Sequence, residues 1–154
     1  MALVRILVDG FSLLHAWPEL APGRPRHSPA ARQELIHRLT QHQDATRTPI
    51  TVFFDGGGGH PSVANNQPQH PIEVLYSRRG KTADDLIERA AFRFQPYGEV
   101  LAVSNDQAVR ATVMALGGFA SSCGAFIRVI ERAEEELQSD LKHHNRREQS
   151  RFKV

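Results

Sequence analysis

Short apolar runs alternate along the chain with longer segments of helical periodicity. Four runs rich in β-branched residues have the length of a strand: LVRILVD (3–9), ITVFFD (50–55), IEVLYS (72–77) and EVLAVSND (99–106). A fifth, shorter strand is predicted at 119–121. Because strands separated by helices are typical of a parallel sheet covered on both faces, the pattern predicts an α/β fold with four to five strands.

The segments between the strands carry start and stop signals for four helices. One is predicted to begin at Ser28-Pro29, a second at Thr82, a third to run over about 106–116, and a last one to carry an apolar stripe over 126–141. In the second helix, Thr82 and Asp85 have the spacing of a capping box. Gly117 follows the third helix as a typical C-terminal signal.

Two stretches between these elements, 17–27 and 56–71, are predicted to be long loops. The first is rich in proline, and the second holds four consecutive glycines and three prolines. Long loops in compact domains are often functional. After residue 138 the chain becomes polar and basic, so a frayed or disordered end is expected. The predicted organisation is a domain over 1–141 followed by a basic polar tail over 142–154.

Composition narrows the class of protein. A chain of 154 residues can form one domain with its own core. The single Cys123 excludes a disulfide framework and a cysteine-based zinc site, which fits a reducing compartment; a small buried residue is its expected role. No signal-peptide pattern is present, and no apolar run approaches the roughly 18 residues of a membrane span. We therefore predict a cytoplasmic protein with no membrane partner.

Charge is distributed unevenly along the chain. The formal net charge is only +2, but basic residues are concentrated at 78–81 and over 142–153. The local clusters of basic residues, rather than the net charge, therefore indicate the kind of partner. They favour binding to a polyanion. A solvated loop is the alternative interpretation of Arg78, Arg79 and Lys81.

Three of the predicted strands end in an acid: Asp9, Asp55 and Asp106. Asp84 is a fourth acid, at the start of a predicted helix. In an open parallel sheet, ligands bind beyond the carboxyl ends of the strands, so these side chains are expected to converge. Converging carboxylates repel unless they are protonated or neutralised by a cation, and hard oxygen donors match Mg²⁺ or Mn²⁺. Turn formation, helix capping or a structural ion-pair network remain as alternatives.

Asp84 and Asp85 cannot both face such a site, because successive helical residues are about 100° apart. Ala83, Ile87 and Phe94 lie on the predicted buried face. Asp84 borders that face, which makes it the better ligand candidate, while Asp85 is expected to cap Thr82 and to complement the helix dipole.

Several other site classes are excluded by their missing motifs. Gly56 to Gly59 lack the Lys-Ser/Thr pair of a phosphate-binding loop, and no G-x-G-x-x-G follows a strand. The eight histidines show no H-E-x-x-H spacing. Ser12 lacks the G-x-S-x-G context of a nucleophile, so a serine hydrolase is not supported.

Four motifs together resemble a known family: VDGFSLL (8–14), VFFDG (52–56), GKTADDLIE (80–88) and VSND (103–106). Their order and approximate spacing are similar to those of the NYN nucleases, in the YacP-like branch of the PIN-like superfamily. The resemblance implies a Rossmann-like three-layer α/β/α sandwich over 1–141. It also implies cleavage of RNA with one or two divalent metal ions held by acids.

By motif position, the resemblance implies that Asp9, Asp84 and Asp106 are metal ligands. Asp55 occupies the second-strand position, and Asp85 lies beside Asp84 in the most specific motif, so both are included among the candidate catalytic residues.

Ser12 departs from the family pattern, because the family often has Asn in a D-G-Y-N block that here is DGFS. A hydroxyl lacks the paired donor and acceptor of an amide, so activity could be reduced. Asn105 is a candidate for supplying the missing amide. Ser12 or Ser104 is expected to position water.

The resulting hypothesis is a metal-dependent endoribonuclease in which Mg²⁺ or Mn²⁺ activates the attacking water. The RNA phosphates, which the acids alone would repel, are expected to be bound by Arg78, Arg79 and Lys81. The expected partner is single-stranded RNA or messenger RNA, with the ribosome as a further candidate. One alternative is an RNA- or ribosome-binding module that has lost turnover, and another is a different α/β phosphoryl-transfer protein.

Overall fold

Strand β1 (Leu3–Asp9) lies at the centre of a five-stranded, wholly parallel sheet. In the computed structural model, which describes residues 3–56 and 72–152, the strand order is β3-β2-β1-β4-β5. The other strands are β2 (Ile50–Phe54), β3 (Glu73–Tyr76), β4 (Glu99–Val103) and β5 (Phe119–Ser121). This is the strand order of the first five strands of a Rossmann sheet, which confirms the predicted fold class.

The sheet register brings the strand ends level with one another. Val8 of β1 pairs with Val52 on one side and with Val103 on the other. The residues that follow, beginning with Asp9 and Ser104, therefore emerge at the same edge. Strand order also reverses between β1 and β4, and such a switch point leaves a crevice at the carboxyl edge of the sheet.

Among the described residues, four α-helices lie between strands and a fifth follows β5: α1 (Gly10–Ala16), α2 (Pro29–Thr46), α3 (Ala83–Phe94), α4 (Gln107–Ala115) and α5 (Cys123–Phe152). The predicted starts of α2 and α3 are confirmed, since Ser28 caps the amide of Ala31 and Thr82 forms a capping box with Asp85. The sequence did not predict α1. Residues 17–27, predicted as a loop, contain the 3₁₀ helix Pro18–Leu20 and the buried Trp17.

Alternate residues of the central strand belong to two hydrophobic cores, one on each face of the sheet. Ile6 and Val8 pack on one face, in a cluster that includes residues from α1, α2 and α5. Leu7 packs on the other face against α3 and α4, in a cluster that includes Ile87 and Val113. The two cores establish the helix–sheet–helix layers of the predicted sandwich, and the buried Cys123 belongs to the first core.

The expected disordered end was wrong, because α5 continues to Phe152. Its side chains are mostly exposed from residue 135 to residue 149, so this part of the helix adds little to the core. Neither Gly nor Pro occurs after Gly124, and basic residues in the last turns complement the helix dipole. The boundary between a domain over 1–141 and a tail over 142–154 stays a prediction. Most of the predicted loop over 56–71 lies outside the described residues.

Candidate active site

Asp9 is held at the end of β1 by contacts from two chain segments. Its Oδ2 accepts hydrogen bonds from the Ser12 hydroxyl at 2.8 Å and from the Ser104 hydroxyl at 3.2 Å. Its Oδ1 accepts from the backbone N–H of Ser12 at 3.3 Å, which makes Asp9 the N-cap of α1. Asp9 is only 7% exposed, so these donors offset the cost of burying its charge.

Ser104 connects Asp9 to the next acid along the edge of the sheet. This serine is fully buried, and its hydroxyl oxygen accepts from the backbone N–H of Asp106 at 3.1 Å. Asp106 in turn caps α4, where its Oδ1 accepts from the amide of Ala108 at 2.8 Å. The contacts of Ser104 therefore orient the Asp9 carboxylate and position the backbone of Asp106. Ser12 is partly exposed and stays the better candidate for positioning water.

Asp55 fixes the start of α3 to the end of β2. Its Oδ1 accepts a hydrogen bond from the backbone N–H of Ala83 at 2.6 Å. Ala83 is the first residue of the helix and directly precedes Asp84. Although Asp55 is exposed, its hydrogen bond holds the first turn of α3, and with it Asp84, against the end of β2.

Asp84 is the residue at which the acids converge. Its pKa is raised from 3.8 to about 6, first by burial and then by the charges of Asp9, Asp106 and Asp55, with a further contribution from a hydrogen bond with Asp106. Four carboxylates from four chain segments are therefore close enough to oppose ionisation of one of them.

Asp85 has the opposite electrostatic environment. Hydrogen bonds from Thr82 lower its pKa, and Lys81 acts in the same direction. Its Oδ2 accepts from the backbone N–H of Thr82 at 3.0 Å, while its own N–H donates to the Thr82 hydroxyl at 3.2 Å. The exposed Asp85 is therefore a helix cap, and Asp84 is the member of the pair that joins the other acids, as the helical phase indicated.

A tight turn, here called the basic turn (residues 78–81), precedes this acidic helix. The amide of Lys81 donates to the carbonyl of Arg78 at 2.9 Å, and Gly80 adopts a positive φ of 83°. The three basic side chains are exposed. Within residues 3–56 and 72–152, none of these three cations takes part in an ion pair.

An open cleft of about 520 Å³ adjoins the acids on the β1–β4 side. It is lined by Phe11, Ser12, Leu14, His15, Arg26, His27 and Asn105. Most of these residues were missed by the sequence reasoning, because α1 was not predicted and the 17–27 segment was flagged only as a long loop. Asn105 also caps α5, because its side-chain carbonyl oxygen accepts a hydrogen bond from the amide of Cys123 at 2.9 Å. That oxygen therefore already has a hydrogen-bond partner.

The sequence model of the YacP-like NYN domain matches residues 6–154 of this chain. The chain belongs to the YacP-like NYN domain family. The relative described as uncharacterized protein YacP, from Bacillus subtilis strain 168, is 25% identical over 136 residues, which cover 86% of this chain and 78% of the relative. The family is PIN-like and of nuclease type, so the coarse function implied by the four motifs is confirmed.

Solved structures of Rae1 (YacP) from Bacillus subtilis share the fold of this family member. A single-substitution variant superposes with a TM-score of 0.76 at 23% identity, covering 92% of this chain and 83% of the other. A second structure gives a TM-score of 0.73 at 22% identity, with coverages of 97% and 85%. The α/β architecture is therefore shared across nearly the whole chain.

NYN and PIN-like nucleases generally use divalent metal ions, and the donor chemistry of this family member fits that use. The converging groups are carboxylates, the hard oxygen donors that Mg²⁺ and Mn²⁺ prefer. Among the described residues, however, no three acidic, histidine or cysteine side chains are already arranged to hold an ion. Mutual repulsion opposes closer approach of the carboxylates without a cation. The donor set thus fits a divalent ion without forming a preassembled site.

In the described part of the chain, no helix combines the length and the apolar character needed to cross a membrane.

Proposed function

We propose that this protein is an endoribonuclease that hydrolyses RNA phosphodiester bonds with the help of Mg²⁺ or Mn²⁺. The observation that carries the proposal is the electrostatic environment of Asp84, whose pKa is raised by burial and by three other carboxylates. Such a costly gathering of like charges is typical of functional sites. Its position at the carboxyl edge of a Rossmann-like sheet, in a nuclease-type family, supports the same assignment.

Asp9, Asp84 and Asp106 are the residues that would hold the ion. When bound, the ion supplies Lewis acidity, which favours ionisation of the attacking water and offsets negative charge on the leaving oxygen. Asp55 acts indirectly, because its hydrogen bond to Ala83 sets the start of the helix that carries Asp84.

Ser12 and Ser104 restrict the orientation of Asp9, since both hydroxyls donate to the same carboxylate oxygen. Preorganised donors of this kind reduce the reorganisation needed during the reaction. Asp9 caps the N-terminal end of α1, and Asp106 caps that of α4. The amides at these helix ends stabilise the negative charge of the two capping carboxylates.

The basic turn supports an extended polyanionic substrate. Its three exposed cations, on the segment leading into the acidic helix, can contact phosphates on one side of the cleaved bond. The proposed substrate is single-stranded RNA, including messenger RNA, and the ribosome is a candidate partner.

A circular single-stranded RNA provides the direct test, because only an endonuclease can open a circle. Purified protein is incubated with labelled circular RNA and Mg²⁺ or Mn²⁺, and in parallel with excess chelator. We expect linear products with metal and none with chelator. Tight binding without opening in any metal would instead select the non-catalytic RNA-binding alternative, and hydrolysis of a small phosphomonoester would select another phosphoryl-transfer class.

A further inference from the structure

The cleft beside the acids has a composition suited to a nucleotide. Its apolar lining comes from Phe11 and Leu14, and its polar lining combines hydroxyl, amide, imidazole and guanidinium groups. It contains Arg26 and two histidines but neither Asp nor Glu. A volume of about 520 Å³ lies in the range of ligand sites, which hold roughly 300–1,000 Å³.

This cleft shares residues with the acidic cluster. Ser12 lines it and donates to Asp9 at 2.8 Å, while Asn105 lies in sequence between Ser104 and Asp106. A group bound in the cleft would therefore lie one side chain away from the carboxylates.

The cleft and the basic turn flank the acids on different sides. The basic turn follows β3, at one edge of the sheet, whereas the cleft lies at β1 and β4. A strand of RNA crossing the acids can thus contact cations of the turn on one side and enter the cleft on the other. The basic turn offers phosphate contacts, whereas the cleft adds an apolar surface for a base.

The chemistry of the lining assigns parts of a nucleotide to particular residues. Phe11 is held by an edge-to-face contact with Phe54, with 5.4 Å between ring centroids. An aromatic ring fixed in this way suits stacking with an unpaired base, and the NH₂ group of the Asn105 side chain suits donation to an acceptor on a base edge. Arg26 and His27 are exposed at the rim and suit a phosphate.

We propose that this cleft binds one nucleotide of the RNA strand next to the cleaved bond, with its base against Phe11 and its phosphate at Arg26 and His27. The inference rests on the proposed ribonuclease function for its substrate class. It adds a second contact surface, distinct from the basic turn, and predicts that a single unpaired base contributes to recognition.

Single-stranded RNA oligonucleotides that each lack one base provide the test. Binding is measured by fluorescence anisotropy in chelator, and cleavage of the same oligonucleotides is measured with Mg²⁺. For the parent protein, removal of one base beside the cleavage position should weaken binding roughly 5- to 100-fold, as expected for a lost stacking contact. In Phe11→Leu, that difference between intact and abasic RNA should shrink towards onefold.

The rim is tested with a double variant and a matched control. Arg26→Gln combined with His27→Gln should weaken binding of intact RNA at least about fivefold and flatten its salt dependence. Arg24→Gln changes an exposed arginine of the same segment that does not line the cleft, and it should bind like the parent. Because these positions are exposed, the variants should fold normally.

Two results would overturn the inference: an abasic effect that persists unchanged in Phe11→Leu, or a double variant that binds like Arg24→Gln. Failure of the parent to bind single-stranded RNA would overturn it as well. Binding without cleavage would instead contradict the proposed enzymatic function, and the binding measurements would still decide the role of the cleft.

Discussion

Asp84→Asn should stabilise the metal-free protein at neutral pH, because it removes one charge from a repelling cluster. A pKa moved from 3.8 to about 6 corresponds to a ceiling of about 3 kcal/mol, at about 1.4 kcal/mol per pKa unit. Asp84 is partly exposed, so solvent screening reduces this gain, and loss of a favourable charge at a helix N-terminus opposes it. A net stabilisation of about 1 kcal/mol, or roughly 2–4 °C in Tm, is expected.

The pH dependence of this difference follows from the direction of the pKa shift. Between pH 3.8 and about 6 the folded protein binds a proton at Asp84 more strongly than the unfolded chain does. The contribution of Asp84 to stability is therefore most favourable below pH 3.8 and is lost as the pH rises through about 6. The advantage of the asparagine variant should accordingly be largest near pH 7 and small near pH 4.

Urea denaturation in chelator at several pH values measures this difference, with Asp85→Asn as the matched control. Asp85→Asn replaces a charged acceptor in the capping box with a neutral one, so it should destabilise the protein slightly rather than stabilise it. Adding Mg²⁺ should raise the stability of the parent more than that of Asp84→Asn, because binding to the folded state shifts the folding equilibrium. A destabilised Asp84→Asn, or a gain independent of pH, would refute the reasoning about converging carboxylates.

Three further changes test separate parts of the account. Alanine at all three basic positions of the basic turn should weaken RNA binding and flatten its dependence on salt, as measured by anisotropy, while cleavage of bound RNA survives. Ser12→Asn should raise the cleavage rate, and Ser12→Ala should lower it roughly 10- to 100-fold in single-turnover assays, because the alanine variant removes the 2.8 Å hydrogen bond to Asp9. An unchanged rate in both would limit Ser12 to a structural role in the first turn of α1. Gly10→Ala should lower the Tm, because its added Cβ would overlap the ring of Phe54.

The parts of the fold that sequence reasoning predicted are those set by local patterns and by one topological rule. Apolar runs of strand length and capping residues such as Ser28 and Thr82 act within a few positions. Convergence of Asp9 and Asp106 followed from the rule that parallel strands deliver their carboxyl ends to one edge. The orientation of Asp84 followed from helical phase alone.

The parts that were missed depend on contacts between distant segments. Helix α1 has only 7 residues, too few for a clear period, and its N-cap is an acid already assigned to the strand. The cleft combines Phe11, Arg26 and Asn105 from three segments, so no local motif could reveal it. The end of α5 was misassigned because composition alone does not distinguish a solvated helix from a disordered tail.

Cleavage of labelled single-stranded RNA by the parent, Asp84→Asn and Asp85→Asn, each assayed with Mg²⁺ and with chelator, tests the central claim most directly. The two variants remove the same charge from adjacent positions of one helix, one from the acidic cluster and one from the cap. We expect metal-dependent cleavage by the parent, a small loss in Asp85→Asn and no detectable cleavage by Asp84→Asn. Equal rates in the two variants, or cleavage by the parent that survives chelation, would contradict a metal-dependent active site centred on Asp84.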